Sequence, residues 1–256
     1  MKKISACIVS YKGADEVIEA VNSLKTYTSG CELTIYLVDN ASPDDTAAIL
    51  QKQEFGEGVK VICLPENVGF GAGHNTVLPM LDSEYHFVLN PDIFIRENVL
   101  PAMCEWMDEH PEVVMATPKL LFPDGRVQIL PKQKPNILGL AARQGVPGLK
   151  KYGDRYAMLD KDLSVPTAIE FCTGSFFCMR TEVFREIGGF DEKYFMYVED
   201  ADITQKARQK GLVYYLPQFT AYHAWHRAPN KSLKPFLQQI KSMGRYFHKW
   251  GWRFSC

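Results

Sequence analysis

The segment Leu33-Thr-Ile-Tyr-Leu-Val-Asp39-Asn40-Ala-Ser-Pro-Asp-Asp-Thr46 combines a strand pattern, a polar turn and the start of a helix. Its apolar and β-branched residues predict a buried strand over Leu33–Asp39. In the turn, Ser42 is the expected N-cap and Pro43 the expected first helical residue. A buried strand that ends on an acid and leads into a helix indicates an α/β protein.

The same alternation of strand and helix continues on both sides of this segment. Ile4–Tyr11 is a short apolar run, and Val17 and Val21 after it recur at helical spacing. Further strands are predicted at Val59–Leu64 and His86–Leu89. The β-α-β-α-β order predicts a mostly parallel central sheet flanked by helices, so ligands should bind beyond the carboxyl ends of the strands.

The second half of the chain is less regular. Residues 118–166 are rich in proline and predict a loop-rich segment that faces substrate, with a hairpin at Pro123-Asp-Gly-Arg126. Regular structure is predicted to return as one strand over Ala168–Arg180, a helix from Thr181, and a second helix that begins near Glu199.

Charge is distributed unevenly along the 256 residues. The net charge is -1, yet residues 203–256 contain ten Lys and Arg and no acid, so this segment carries +10 and residues 1–202 carry -11. With 46% hydrophobic and 23% charged residues, the composition excludes disordered, collagen-like and disulfide-scaffold proteins. The basic segment suggests an anionic partner, namely phosphate, nucleic acid or anionic lipid.

Cysteine usage and the absence of targeting signals indicate the compartment. Seven cysteines, none in a C-x-x-C pair, predict reduced thiols in a reducing cytosol. The N-terminal apolar run is too short for a signal peptide or anchor, and nowhere do 18 apolar residues occur in succession. Any membrane contact is therefore expected to be peripheral.

Four polar clusters occupy the ends of predicted strands or the start of a helix. They are Asp39-Asn40, the glycine-rich stretch Glu66–Asn75, Asn90-Pro91-Asp92, and Glu199-Asp200-Ala-Asp202. The first could bind a base or ribose, and the glycine-rich stretch could let backbone N–H groups approach a diphosphate. Asn90-Pro91-Asp92 could hold a divalent ion, and the last cluster could supply a general base beside aromatic residues. His223 could complete a metal site with Asp92.

Each cluster also has an ordinary structural explanation. Strand-terminal Asp residues and Asn-Pro-Asp sequences are common in turns, and alternate glycines suit a flexible loop. Acids stabilise a helix N-terminus whatever the function of the protein, and a single histidine is usually structural. The glycine spacing is not G-x-G-x-x-G, which argues against a nicotinamide-dinucleotide enzyme.

Taken together, the motifs resemble those of glycosyltransferase family 2, whose members are inverting enzymes of the GT-A nucleotide-diphospho-sugar transferase fold. In chain order they are Val9-Ser10-Tyr11, Val38-Asp39-Asn40, Glu66-Asn67-Val-Gly69-Phe70, Asn90-Pro91-Asp92, Cys172-Thr-Gly-Ser-Phe176, Gly189-Phe-Asp191 and Glu199-Asp200-Ala-Asp202. The similarity spans about residues 4–230. It is greatest to bacterial rhamnosyltransferases of O-antigen assembly, which use dTDP-L-rhamnose and a GlcNAc-diphosphate-undecaprenyl acceptor.

The resemblance implies a catalytic domain over residues 1–230, with a nucleotide-binding half to about residue 110 and an acceptor half after it, followed by a basic extension over 231–256. It implies one sugar per acceptor, because the Gln-x-x-Arg-Trp motif of processive synthases is absent. Two alternatives are a family member that uses UDP-Gal or UDP-GlcNAc and a non-catalytic glycan-binding module. A nucleic-acid binder would also use the basic segment, but no such motif is found and no nucleic-acid partner is expected.

The resemblance also assigns roles to individual residues. The nucleotide-site residues would be Ser10, Tyr11, Asp39, Asn67, Gly69, Asn75 and Asn90. Asp92 and His223 would bind Mg²⁺ or Mn²⁺, and Asp200 would be the catalytic base, with Glu199 as the alternative. Asn90 replaces the first acid of the family's Asp-x-Asp motif, which leaves one anionic ligand fewer.

The C-terminal segment predicts a basic amphipathic helix between Lys231 and Trp250. Its expected apolar stripe is Leu233, Leu237, Ile240, Gly244 and Phe247, flanked by Phe236, Met243 and Trp250, with Lys234, Lys241, Arg245 and Lys249 elsewhere. The helix could dock on anionic lipid at the inner face of a bacterial plasma membrane, or it could pack on the catalytic domain. Candidates to face a donor or acceptor diphosphate are Lys206, Arg208, Lys210 and Arg227.

Overall fold

The fold is given by a computed structural model that describes residues 1–128, 132–225 and 233–255, except for the side chains of residues 233–236. Within these residues the strands are β1 Lys2–Ser10, β2 Cys31–Asp39, β3 Val59–Cys63, β4 Tyr85–Leu89, β5 Ile93–Phe94, β6 Val113–Leu121, β7 Thr167–Ala168, β8 Phe176–Arg180 and β9 Leu212–His223. The helices are α1 Ala14–Tyr27, α2 Thr46–Lys52, α3 Phe70–Asn75, α4 Val99–Glu109, α5 Ile137–Arg143, α6 Lys150–Tyr156, α7 Thr181–Glu186, α8 Glu199–Arg208 and α9 Leu233–Trp250.

The strands form one sheet in the order β3-β2-β1-β4-β8-β6-β9-β5, and β7 pairs with β9. The four strands from β3 to β4 are parallel, as the β-α-β-α-β pattern predicts. Beyond them, β8 is antiparallel to both β4 and β6, whereas β6 and β9 are parallel. The predicted α/β architecture is confirmed, with a mixed second half.

Hydrophobic residues fill both faces of the sheet, because successive strand residues point to opposite sides. In β1, Ile4 and Ile8 pack in a cluster with Val17 and Val21 of α1. Cys7, on the opposite face, packs in a second cluster that includes residues of α7 and α8. Covered on both faces, the sheet leaves its polar chemistry to the loops at the strand ends.

Three local predictions were wrong. Ser42 does not cap α2: the helix begins at Thr46, and the Ser42 hydroxyl instead accepts a hydrogen bond from the backbone N–H of Lys12, at 2.8 Å. Pro43 therefore lies in the turn and not in the first helical turn. The expected strand over Ala168–Arg180 is interrupted, and the loop that separates β7 from β8 lines the cleft described below.

The proline-rich middle segment is more ordered than its sequence indicates. The predicted hairpin forms, with Leu121 paired to Val127 across the turn. Beyond it, α5 and α6 pack closely, because Gly139 lies where a Cβ atom would be 2.7 Å from that of Tyr156. The Asn136 side chain caps α5 by accepting a hydrogen bond from Gly139 N–H.

Helix α9 packs on the rest of the domain through Met243, Tyr246, Phe247 and Trp250. Of the predicted apolar stripe, Phe247 is buried, whereas Leu237 and Ile240 are 63% and 51% exposed. The side chains of Leu233, Lys234 and Phe236, and the whole of Lys231, lie outside the described residues, as does the predicted domain boundary at residue 230.

The buried Asp202 carboxylate joins α9 to α8. It accepts a 2.7 Å hydrogen bond from the Trp250 indole and forms an ion pair with Lys249 at 2.9 Å. Lys249 also pairs with Asp191 at 3.0 Å. A buried carboxylate left without these partners would be strongly unfavourable, so the third acid of Glu199-Asp200-Ala-Asp202 is structural.

Replacing Asp202 with Asn should lower the free energy of unfolding by roughly 1–3 kcal/mol, because the charge-assisted bonds to α9 weaken. Urea denaturation measures the loss. Asp191→Asn is the matched control, since it removes the more exposed partner of the same lysine and should cost less. Equal losses in the two variants would contradict a special role for Asp202.

Candidate active site

Asp92 and His223 are brought together by strand pairing. β5 runs antiparallel to the end of β9, with Ile93 opposite His223. Asp92, just before β5, therefore lies beside the imidazole, with Oδ1 3.2 Å from Nε2. Both side chains are largely buried, and the Asn90 amide nitrogen lies 3.4 Å from the same Nε2.

Gln128 fixes the orientation of His223. Its amide nitrogen donates to the His223 carbonyl oxygen at 2.8 Å, and its Oε1 lies 3.0 Å from His223 Nδ1. Because a carbonyl oxygen can only accept, the amide orientation is set, and Nδ1 must carry the proton that binds Oε1. In a neutral ring, Nε2 is then the unprotonated nitrogen, and it lies close enough to Asp92 Oδ1 for the two atoms to share a cation.

Two adjoining cavities form the cleft around this pair. The first, about 460 Å³, lies at the carboxyl ends of β1 and β4 and is lined by Tyr11, Lys12, Gly13, Glu16, Phe70, Asn90, Pro91, Asp92, His223 and Trp225. The second, about 550 Å³, shares Phe70, Asn90, His223 and Trp225 with the first and continues to Glu199 and Asp200. Asp92 and His223 thus line one continuous cleft with Glu199 and Asp200.

The Asp200 carboxylate is held by two backbone donors. Gly174 N–H donates to Oδ2 at 3.2 Å, and Ala201 N–H donates to Oδ1 at 2.9 Å. Gly174 belongs to the loop that interrupts the predicted strand, and a Cβ atom there would lie 3.4 Å from that of Asp200. The break between β7 and β8 therefore positions a donor for this carboxylate.

Glu199 and Asp200 differ in their preferred protonation states. Burial, together with the adjacent Asp200 charge, raises the pKa of Glu199 to about 8, and its buried Oε2 has no hydrogen-bond partner in the described chain. Burial also raises the pKa of Asp200, but the Lys132 charge and the backbone N–H groups oppose this shift. Near neutral pH, the pair therefore favours a protonated Glu199 beside an ionised Asp200.

Unusual backbone geometry precedes these carboxylates. Tyr197 and Val198 both have φ of 70°, a left-handed conformation that is rare for a β-branched residue and costs on the order of 1–3 kcal/mol. Nearby, Gly69 has φ of 89°, and a Cβ atom there would lie 2.3 Å from the Phe195 carbonyl oxygen. The Gly69 loop and the Phe195–Val198 loop thus interlock at the entrance to α8.

The remaining predicted nucleotide residues do not line either cavity. Asp39 accepts a hydrogen bond from Ser42 N–H, while its buried Oδ1 has no partner in the described chain. Ser10 is buried, and its carbonyl oxygen accepts from Asn40 N–H. The Asn67 side chain accepts from Gly69 N–H within its own turn.

Asn75, a predicted nucleotide-site residue, hydrogen-bonds to the turn that begins at Gly189. Its amide group exchanges two hydrogen bonds with the backbone of Phe190, both of 2.9 Å, and donates a third to Glu192. A Cβ atom at Gly189 would lie 2.2 Å from Asn75 Oδ1. These contacts hold the Gly189-Phe190-Asp191 turn in place.

Several cleft residues were missed by sequence reasoning. Lys12, Gln128, Lys132, Arg143 and Trp225 line one or both cavities. Gln128, Lys132 and Arg143 come from the proline-rich segment, where no periodic pattern marks them.

The cations predicted to face a diphosphate have partners elsewhere in the molecule. Arg208 pairs with Glu170, Lys210 pairs with Glu186, and Lys206 donates to a carbonyl oxygen. Arg227 lies outside the described residues.

Neither a metal-ligand cluster of three side chains nor a membrane-spanning helix occurs in the described part of the chain. No group of three or more His, Cys, Asp or Glu side chains converges as a metal-ligand cluster in residues 1–128, 132–225 and 233–255. Over the same residues, no helix has both the length and the hydropathy needed to cross a membrane.

Comparison with known proteins identifies the family. Residues 5–188 match the profile of Glycosyl transferase family 2. The chain belongs to this family. It is 26% identical over 223 residues to "N-acetylglucosaminyl-diphospho-decaprenol L-rhamnosyltransferase" of Mycobacterium tuberculosis, which covers 79% of this chain and 69% of that protein. It is 27% identical over 196 residues to "Rhamnosyltransferase WbbL" of Escherichia coli. That match covers 69% of this chain and 70% of the Escherichia coli protein.

The architecture agrees with that assignment. A crystal structure of GalNAc-T7 with UDP, GalNAc and Mn²⁺ superimposes with a TM-score of 0.72 at 16% identity. It covers 97% of this chain, which spans about half of that protein. The predicted GT-A fold is confirmed, and this family 2 member is a glycosyltransferase.

The protonated Glu199 makes stability depend on pH. Its pKa is raised in the folded state, so the folded protein binds more protons and the free energy of unfolding should fall as pH rises from about 5 to about 8. Glu199→Gln should flatten this slope and stabilise the protein at the upper end. Urea unfolding across this range measures it, with exposed Glu182→Gln as the control. An unchanged slope in Glu199→Gln would contradict the assignment.

The Gln128 clamp predicts the tautomer of His223. Long-range ¹H–¹⁵N spectra should show Nδ1 protonated and Nε2 bare in the wild type, and Gln128→Ala should populate the other tautomer. His110, whose Nδ1 lies 2.7 Å from the Trp106 carbonyl oxygen, provides an internal reference for the same tautomer. A protonated Nε2 on His223 in the neutral wild-type ring would contradict the clamp.

Proposed function

We propose that this glycosyltransferase transfers a single L-rhamnose residue from dTDP-β-L-rhamnose, with inversion, to a lipid-linked GlcNAc-diphosphate acceptor in the synthesis of a cell-surface polysaccharide such as O-antigen. The observation that carries the reaction is the continuous cleft that joins Asp92 and His223 to Asp200. Rhamnose and the lipid-linked acceptor are supported by the names of the two relatives. A second nucleotide sugar, such as UDP-GlcNAc, is the alternative donor.

Asp200 acts as the general base. Its two backbone hydrogen bonds orient the carboxylate, and the Lys132 charge favours the ionised form that accepts a proton. It removes the proton of the acceptor hydroxyl while that oxygen attacks the anomeric carbon and the bond to the nucleotide diphosphate breaks. Attack from the face opposite the leaving group inverts the anomeric configuration.

The donor diphosphate lies in the first cavity. Asp92 Oδ1 and His223 Nε2, which lie 3.2 Å apart, would hold a divalent cation there. Mg²⁺ or Mn²⁺ bound there would stabilise the negative charge that develops on the departing diphosphate. Lys12 and Tyr11 line the same cavity and contact the nucleotide portion, while Asn90 supports His223.

The C-terminal segment docks the enzyme on the inner face of the plasma membrane. Leu237, Ile240, Trp252 and Phe254 are exposed large apolar side chains in this segment, and Lys241 is exposed next to Ile240. Apolar side chains flanked by basic residues favour an interface with anionic lipid. A cytoplasmic, peripheral location places the active site beside a lipid-linked acceptor.

A turnover assay tests the reaction. The wild type should transfer rhamnose from dTDP-rhamnose, among a panel of dTDP- and UDP-sugars with Mg²⁺ or Mn²⁺, to a synthetic GlcNAc-diphosphate-lipid, with products detected by mass. Asp200→Asn should bind the donor normally but lose roughly 10²-fold or more in turnover. Asp154→Asn, remote from the cleft, is the matched control. Transfer of a different sugar would refute rhamnose, and normal turnover in Asp200→Asn would refute the base.

Liposome sedimentation tests membrane docking. The double variant Leu237→Ser, Ile240→Ser should bind vesicles containing anionic lipid more weakly than the wild type, because it removes exposed apolar side chains without disturbing the buried face of α9. Truncation of the whole segment is a poorer test, since it would also expose the core beneath α9. Equal binding by wild type and variant would exclude this surface.

A further inference from the structure

Lys132 is a buried cation on the wall of the cavity that contains Asp200. It is 7% exposed and is the only Lys or Arg classed as buried among the residues that the structure describes. Its backbone carbonyl oxygen accepts from Phe171 N–H, and its ammonium lies 4.8 Å from the Phe171 ring. No described side chain forms an ion pair with it. An ammonium group in such a place is costly unless an anion binds there.

Arg143 provides a second positive charge on the same cavity. It lies in the last turn of α5, is exposed, and makes no ion pair with the described part of the chain. The cap from Asn136 and the close packing of Gly139 on Tyr156 fix the helix that carries it. Lys132 and Arg143 therefore form a cationic wall, one residue buried and the other at the rim.

This wall is separate from the proposed donor site. Lys132 and Arg143 line the cavity that contains Asp200, but neither lines the cavity of Asp92. An anion bound between them would therefore lie in the cavity of Asp200 and not in that of Asp92. Burial lowers the pKa of Lys132 to about 8, and the Asp200 charge opposes this shift, so the ammonium is mostly protonated at neutral pH.

An apolar pocket continues from the same wall. It has a volume of about 130 Å³ and shares Arg143, Phe171 and Asp200 with the larger cavity described above. The rest of its lining is mainly apolar and aromatic and includes Leu140, Tyr156, Met243, Tyr246 and Phe247. A ligand that fits both regions combines an anionic head with a hydrocarbon tail.

We propose that Lys132 and Arg143 bind the phosphate groups of an isoprenoid-diphosphate acceptor, with the first part of its hydrocarbon chain in the pocket between α5 and α9. This inference rests on the proposed function, because it places those phosphates one sugar ring from the hydroxyl that Asp200 deprotonates. The acceptor phosphates would give the buried ammonium a direct ionic partner, in addition to the Asp200 charge that already favours its protonated form.

Calorimetry with geranyl diphosphate tests the site without requiring catalysis. The full chain is titrated in EDTA, so that no metal can hold the probe in the donor cavity. Lys132→Met and Arg143→Met should each weaken binding by roughly tenfold or more, as expected for loss of a charge-assisted contact. Lys151→Met, an exposed lysine of α6, is the matched control and should bind normally. Geraniol, which lacks the phosphates, should be insensitive to all three substitutions.

A second arm distinguishes the two sources of diphosphate. With the protein saturated by dTDP, geranyl diphosphate should bind with the same affinity; displacement by dTDP would assign the cations to the donor and overturn the inference. Undiminished binding by both Met variants would also overturn it, whether or not the enzyme transfers sugar. If the wild type binds the probe through these residues but transfers no sugar, the proposed reaction fails and the isoprenoid-diphosphate site stands.

Discussion

The antiparallel pairing of β5 with the end of β9 is the contact on which the cleft depends. β5 has only two residues, yet its pairing at Ile93 and His223 brings Asp92 beside an imidazole that is more than a hundred residues away in the chain. Gln128 then locks that imidazole through both its ring and its backbone carbonyl. Without this pairing, Asn90-Pro91-Asp92 would remain an ordinary turn. The juxtaposition of Asp92 and His223 is therefore a product of sheet assembly.

The second half of the cleft depends on how the start of α8 is held. Tyr197 and Val198 carry left-handed backbone conformations, and the Gly69 loop packs against Phe195 next to them. This arrangement directs Glu199 and Asp200 toward the cavity, where Gly174 N–H and the Lys132 charge favour an ionised Asp200. Such local strain persists only where surrounding contacts enforce it, which is typical of functional sites.

Four of the ten basic residues in the C-terminal segment form ion pairs with acids of the described chain. Arg208 and Arg253 pair with Glu170, Lys210 pairs with Glu186, and Lys249 pairs with Asp191 and Asp202. The charge asymmetry in the sequence is thus partly a complementarity between the acidic body and the helix that packs on it. The described cations that line the cleft instead come from the loop after β1, at Lys12, and from the middle of the chain, at Lys132 and Arg143.

The sequence by itself determined the parallel half of the sheet, because apolar periodicity and strand-terminal polar residues are local signals. It also singled out Asp92, His223 and Asp200 as candidates through recognisable motifs. It gave no role to Asp202, which lies in the first turn of the same helix as Asp200. Only the tertiary structure assigned one to the cleft and the other to the buried contact with Trp250.

The proline-rich segment also shows that local sequence patterns do not identify every functional residue. Nothing in its local pattern distinguishes Gln128, Lys132 or Arg143 from solvated polar residues, and Ser42 had the features of a helix cap without becoming one. Their roles follow from partners far away in the chain: the His223 backbone, the Asp200 carboxylate and the Lys12 amide. Local chemistry determined which residues were able to act, and long-range packing decided which of them meet, because contact between distant segments depends on how the whole sheet closes.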